Sequence, residues 1–250
     1  MRKRLVCALV FLWGASLLFS GILKIVGRIG TDGELYFELQ MQAGILDSAG
    51  VSEETLKTLD GALARYLRGG TYALETDSGE AISAEVFGET QPAFNNREMA
   101  HMRDCQRLFL LLIDVMDYSQ FASKGLLIAA ILLYFFTPRG KRPSKKQLML
   151  SAGLAPLALM IPLGAFAIWA AADFGSAFTF FHHLLFTNDL WLLNPRTDLL
   201  IRICPESMFA KMGMMIGGQA LIRTVEYLLI SELAFFGAFW LGKKFEEYMK

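Results

Sequence analysis

The sequence predicts a mainly α membrane protein. It reads as a four-helix transmembrane bundle with a small α+β extracytoplasmic domain between helices 1 and 2 and a short re-folded loop between helices 3 and 4. Three observations predict it. More than half of the 250 residues are apolar, 54%, and they concentrate in four runs: Leu5 to Val26, Phe121 to Phe136, Leu148 to Ala172 and Ala220 to Leu241. Each approaches the ~20 residues that a helix needs to span ~30 Å of hydrocarbon. The basic residues sit outside those runs in a one-sided pattern: Arg2, Lys3 and Arg4 before the first, Arg139 to Lys146 between the second and third, and Lys243, Lys244 and Lys250 after the fourth. By the positive-inside rule these three segments are cytoplasmic, and the histidine-bearing segments face outward.

The expected organisation follows in chain order. Residues 1–26 are a cytoplasmic N-terminus and helix 1. A basic start before an apolar core also describes a signal peptide, but this run is longer than a usual h-region and ends without a small-x-small site, so it reads as a retained helix. Residues 27–119 form the extracytoplasmic domain. They carry sixteen acids against seven bases, which excludes nucleic acid as a partner for their surface. Within them, Glu34 to Leu39 suits either a helix or a strand. Ser52 caps an amphipathic helix in which Leu56, Leu59, Leu63 and Leu67 recur at helical spacing until Gly69-Gly70 stops it. Thr71 to Glu75 and Ala81 to Phe87 read as a hairpin about Asp77-Ser78-Gly79. Asn95 or Asn96 then caps a helix from Arg97 to about Tyr118.

Helix 2 spans 120–137, a basic cytoplasmic loop 138–147, and helix 3 spans 148–172. Pro156 and Pro162 inside helix 3 each remove a backbone donor and favour a bend. Residues 173–219 are the second extracytoplasmic loop, 220–242 helix 4, and 243–250 a cytoplasmic tail.

The chemistry-bearing residues cluster in the two outward segments. The chain has three histidines: His101, on the helix after Asn95, and the adjacent His182 and His183. Imidazole exchanges a proton near neutrality, which suits general acid–base work. Glu98, His101 and Asp104 recur every three residues and so share one helix face. An exposed helix with an incidental Glu-x-x-His pair explains them equally well. His182 and His183 lie between Phe180-Phe181 and Leu184-Leu185-Phe186, where an unpartnered imidazole is costly, although structural hydrogen bonds would also satisfy it. Trp191 fits an interfacial aromatic, Asn194-Pro195 a turn, and Asp198 its cap. No G-x-S-x-G, H-E-x-x-H, P-loop or C-x-x-C motif occurs, so serine hydrolase, zincin and nucleotide-binding readings lack support. No cofactor is expected. Cys105 and Cys204 both fall in outward segments where disulfides persist, and are expected as a possible pair.

Two blocks carry a resemblance. Asn96-Arg97-Glu98-Met99-Ala100-His101-Met102-Arg103-Asp104, and Phe181-His182 through Asp189, Trp191, Asn194-Pro195, Asp198 and Pro205-Glu206, resemble the lipoprotein intramolecular transacylase family, as does Tyr66-Leu67-Arg68-Gly69. The resemblance implies a four-helix bacterial membrane enzyme whose partners are the lipid bilayer and a diacylated lipoprotein substrate. It would move an acyl chain from the glyceryl sn-2 oxygen to the α-amino group of the lipidated N-terminal cysteine, giving a lyso-form lipoprotein. It further implies His101 and His182 as the catalytic pair, Glu98, Asp104 and Asp189 as groups that orient or polarise them with His183 alongside, and Trp191, Asn194 and Arg202 as residues lining or bracing the site. A metal-dependent membrane hydrolase built on the same histidines and Asp189, and a non-enzymatic sensor or accessory protein, are the competing readings.

Overall fold

The computed structural model describes residues 1–70, 74–75 and 81–248. It is mainly helical. In chain order the elements are α1 (Arg2–Ile29), α2 (Gly33–Ala43), α3 (Leu46–Ala49), α4 (Glu53–Leu67), β1 (Ser83–Val86), β2 (Glu89–Pro92), α5 (Asn96–Phe136), α6 (Lys145–Ala172), α7 (Phe174–Leu185), α8 (Leu199–Ile203) and α9 (Glu206–Tyr248). Among the described residues, α1, α5 and α6 are long and apolar enough to cross a membrane. The chain divides into two compact units.

One unit comprises Met1–Ile25, Asp114–Ala165 and α9 from Gly217 onward. Its core holds Val6 and Val10 of α1, Ala130 of α5, and Leu148 and Ala152 of α6, with Trp13, Phe235 and Phe239 packed around them. One close approach is made at a small residue, as expected where helices associate in lipid by backbone approach rather than by a hydrophobic drive. At Gly14, an added Cβ would collide with the Tyr227 hydroxyl, which itself donates to the Ala152 carbonyl at 3.2 Å. The large apolar residues point the other way: Phe121, Phe136, Ile161 and Leu233 are all exposed. A surface of that kind is a liability in water and costs nothing in hydrocarbon. The two prolines leave α6 continuous, with Pro156 buried.

The second unit comprises Val26–Ile113 and Phe166–Ile216. Asp32 caps α2 by accepting from the Leu35 N–H at 3.1 Å, and Gly44, left-handed at φ 67°, ends it, so the Glu34 to Leu39 stretch is helical. Ser52 caps α4 as expected, its hydroxyl accepting from the Thr55 N–H. α2 packs on α4, and α3 on α8.

The structure holds a hairpin that the sequence reading did not expect. β1 pairs antiparallel with β2, Ser83 opposite Pro92 and Val86 opposite Glu89. The turn is Phe87-Gly88, both with positive φ, 52° and 80°, the combination a two-residue turn needs to match strand twist. Of the expected hairpin, Glu75 and Ala81 form an isolated bridge; Thr71 to Ala73 and the Asp77-Ser78-Gly79 turn lie outside the described residues. The ring of Phe87 lies over Gly50, whose Cβ would meet it at 2.3 Å.

α5 is the other departure. The helix expected to end near Tyr118 runs unbroken to Phe136, because nothing between Tyr118 and Gly125 caps or breaks it. The uncharged apolar run of α5 is 125–136, following Lys124.

Candidate functional site

All of the site belongs to the second unit. Its foundation is the start of α5. Asn95 accepts from the Arg97 and Glu98 N–H groups through its side-chain oxygen, at 2.9 and 3.1 Å, while Glu98 Oε2 accepts from the Asn95 N–H at 2.7 Å. This is a reciprocal capping box. The other carboxylate oxygen of Glu98 accepts from the Leu200 N–H at 2.6 Å. Glu98 is 1% exposed, and burial pushes its carboxyl above the usual range even though both backbone donors oppose the shift. Glu98 therefore joins α5 to α8.

Asp198 strengthens the same junction. Its carboxylate accepts from the Asn95 amide at 2.9 Å, the Thr197 hydroxyl at 2.8 Å and the Asn194 N–H at 2.7 Å. Asn194 is thus a turn residue, its own side chain accepting from the Arg196 N–H. Arg202 stacks its guanidinium over Phe87 at 5.2 Å and donates weakly to the Asp198 carbonyl. Both brace the fold near the site and neither reaches the imidazoles.

On this foundation His101 and His182 converge. Their ring centroids are 6.2 Å apart, and the residues are 8% and 9% exposed. Phe186 presents its ring to both, at 5.1 Å from His101 and 5.7 Å from His182. Phe178, at 4.1 Å, and Trp191, at 4.8 Å, complete an aromatic wall around His182. His182 Nδ1 is 2.7 Å from the Phe178 carbonyl oxygen. A carbonyl can only accept, so Nδ1 carries the proton and Nε2 keeps the lone pair.

Electrostatics hold both rings neutral. Burial pulls His101 down to about 4, helped by the neighbouring His182 and resisted by Asp104. Burial also lowers His182, against the pull of the Phe178 carbonyl and Glu206. Asp104 itself accepts from the Asn188 amide at 2.9 Å and from Arg107 at 3.2 Å, which ties α5 to the turn leading into Trp191.

Other expected residues lie elsewhere. His183 is exposed, its ring edge-on to Trp191 at 5.1 Å, so His182 is the member of the pair that meets His101. The Asp189 side chain is exposed, and its backbone carbonyl takes a bond from Arg97. The disulfide expected between Cys105 and Cys204 is not formed: both thiols are free. Cys105, one turn beyond His101, instead sets its sulfur 3.5 Å from His101 Nε2. Burial pushes its thiol up to about 12 and raises that of Cys204 further.

Sequence reasoning missed the aromatic partners Phe178 and Phe186, spaced i−4 and i+4 from His182 on or just past α7, a spacing that was legible. It also missed the buried pair beneath α8. Gln40 donates to Asp60 at 2.9 Å and to the Ile203 carbonyl at 2.8 Å, and burial pushes the Asp60 carboxyl up to about 7. Among the described residues, no three His, Cys, Asp or Glu side chains come together as metal ligands.

Comparisons with known proteins agree with one another. A family model described as lipoprotein intramolecular transacylase Lit matches residues 10–209. Among solved structures, the membrane-integral lipoprotein intramolecular transacylase Lit from Bacillus cereus superimposes with TM-score 0.55 at 20% identity, covering 99% of this chain and 98% of that one. A variant of it with one histidine replaced by alanine gives TM-score 0.59 at 19% identity, over 99% and 96% of the two chains. No curated protein matches.

Proposed function

The chain belongs to the lipoprotein intramolecular transacylase family, and we propose that His101 and His182 are the reacting pair of that activity. The substrate is a diacylated lipoprotein, and the acyl group passes from the glyceryl sn-2 oxygen to the α-amino group of the N-terminal cysteine. The observation that carries this reading is the meeting of two buried, neutral imidazoles from α5 and α7 at 6.2 Å within one aromatic enclosure.

The steps follow from that geometry. Ester and amine belong to one molecule, so covalent linkage supplies much of the proximity. The neutral amine attacks the carbonyl carbon; the C–N bond forms as the carbonyl π pair moves onto oxygen. His182 Nε2, kept unprotonated by the Nδ1–H bond to Phe178, takes the proton from nitrogen. When the intermediate collapses, the bond to the glyceryl oxygen breaks and the imidazolium returns that proton to the departing alkoxide. His101, neutral, donates to the same leaving oxygen and orients it. A serine or cysteine nucleophile is not required.

We place the protein in the bacterial cytoplasmic membrane with α1, the apolar part of α5, α6 and the apolar part of α9 as four crossings. Both termini and the 138–147 loop are cytoplasmic and the histidine segments extracytoplasmic. Support comes from the distribution of basic residues. Mass spectrometry of a reporter lipoprotein from a host lacking other N-acylating enzymes tests the function: N-acyl, lyso-form product is expected only when the chain is present. Unchanged diacyl product would refute it.

A further inference from the structure

We propose that the Trp191 indole N–H is the hydrogen-bond donor to the acyl carbonyl oxygen during transfer, a role that rests on the transacylase reading of the same site. Trp191 is 8% exposed, and its Nε1 is fully buried with no hydrogen-bond partner among the described residues. Buried donors left unpaired are rare and costly, so an orphan of this kind points to an acceptor that arrives with a ligand. Its location identifies the ligand atom. The indole ring lies 4.8 Å from His182, inclined by 31°, and so flanks the imidazole that handles the amine proton.

Apart from His101, whose N–H serves the leaving oxygen, and the exposed ring of His183, other donors nearby are absent or committed. The Phe178, Phe181 and Phe186 side chains have none. His182 Nδ1 is engaged with the Phe178 carbonyl. The Asn188 amide is engaged with Asp104. Amine attack converts the carbonyl oxygen into an oxyanion, and a donor fixed in a water-excluded setting stabilises that charge far better than it stabilises the ester. The N–H is not transferred: it contacts the oxygen while negative charge develops and is left unchanged when the C–O bond breaks. Exposed His183 stands edge-on to the indole at 5.1 Å.

The experiment replaces Trp191 with 3-benzothienylalanine, in which sulfur stands where the indole N–H was, in the full-length protein in lipid. Single-turnover formation of N-acyl product from a synthetic diacyl lipopeptide is compared with wild type. A rate lower by about a hundredfold with lipopeptide affinity retained is expected, the usual effect of losing one oxyanion donor. An isostere that turns over within twofold of wild type overturns the donor role, whereas a wild-type protein that makes no N-acyl product overturns the transacylase reading beneath it.

Discussion

Glu98 and Leu200, 102 residues apart in sequence, are joined by a 2.6 Å hydrogen bond from the Leu200 backbone to the Glu98 carboxylate. That carboxylate also closes the capping box on Asn95. One side chain thus starts the helix that carries His101 and anchors the segment that follows Trp191.

Glu98→Ala leaves the buried Leu200 N–H and the part-buried Asn95 N–H without their acceptor. The buried one alone costs about 1–3 kcal/mol, so thermal melts in detergent should show a clear drop. Glu98→Gln keeps one acceptor oxygen and should lose roughly half as much. A melting temperature unchanged in Glu98→Ala would show that the junction contributes nothing.

His101→Ala and His182→Ala are expected to lower N-acyl product formation by at least about a hundredfold, the low end of what a positioned acid or base supplies. Melting temperatures should stay near wild type. His183→Ala, at an exposed ring, should lose less than about tenfold. Mass spectrometry of the same reporter lipoprotein distinguishes the three, and equal losses at His182 and His183 would contradict the geometry.

The buried imidazoles set a pH dependence with a definite sign. Both folded values lie below 6.5, so the unfolded chain binds protons more readily. Their stability contribution is present above 6.5 and is lost as pH falls toward about 4. In histidine-labelled protein, NMR should show the His101 ring titrating near 4 and the His182 ring below 6.5. Titration of both at 6.5 or above would mean that water reaches the site.

Asp60 acts in the opposite direction. Its folded value is raised from 3.8 to about 7, so the folded protein holds the proton more tightly and stability declines as pH rises through that window. The cost at higher pH reaches at most roughly 4 kcal/mol. Asp60→Asn keeps the acceptor for Gln40 and removes the titration. Its melting temperature relative to wild type should rise between pH 5 and pH 8, and a constant difference would exclude Asp60 as the source.

The cysteines should behave as separate buried thiols. Unreduced and reduced protein should migrate alike on gels. Cys105 and Cys204 should alkylate slowly in the folded protein at neutral pH, since burial keeps the reactive thiolate scarce, and quickly in denaturant. A population with both thiols blocked until reduction would reveal a bridge.

The legible parts of the fold were those with local causes. Ser52 with Leu56, Leu59 and Leu63 specified α4, and the apolar runs specified the helices of the first unit. The histidine pair was legible because imidazoles are scarce in this chain and sit beside acids or aromatics. What local pattern could not show was partnership at a distance. Spacing put Glu98 on the face of His101, yet the Leu200 N–H, reachable only after folding, claims its carboxylate. Asp189 and Arg202 lay in the right block of sequence, and the turn geometry directs the first outward and the second onto Phe87. The Ser83–Pro92 hairpin went unread because its turn, Phe87-Gly88, lacks the Asn-Gly or Asp-Gly signature that usually marks one.

Phe87 occupies a left-handed position that asparagine or glycine would adopt with less strain, and its ring occupies the space a side chain at position 50 would need. A side chain at position 50 therefore meets two obstacles, the Phe87 ring and its own left-handed backbone at φ 70°, and replacing the aromatic at 87 would remove only one of them.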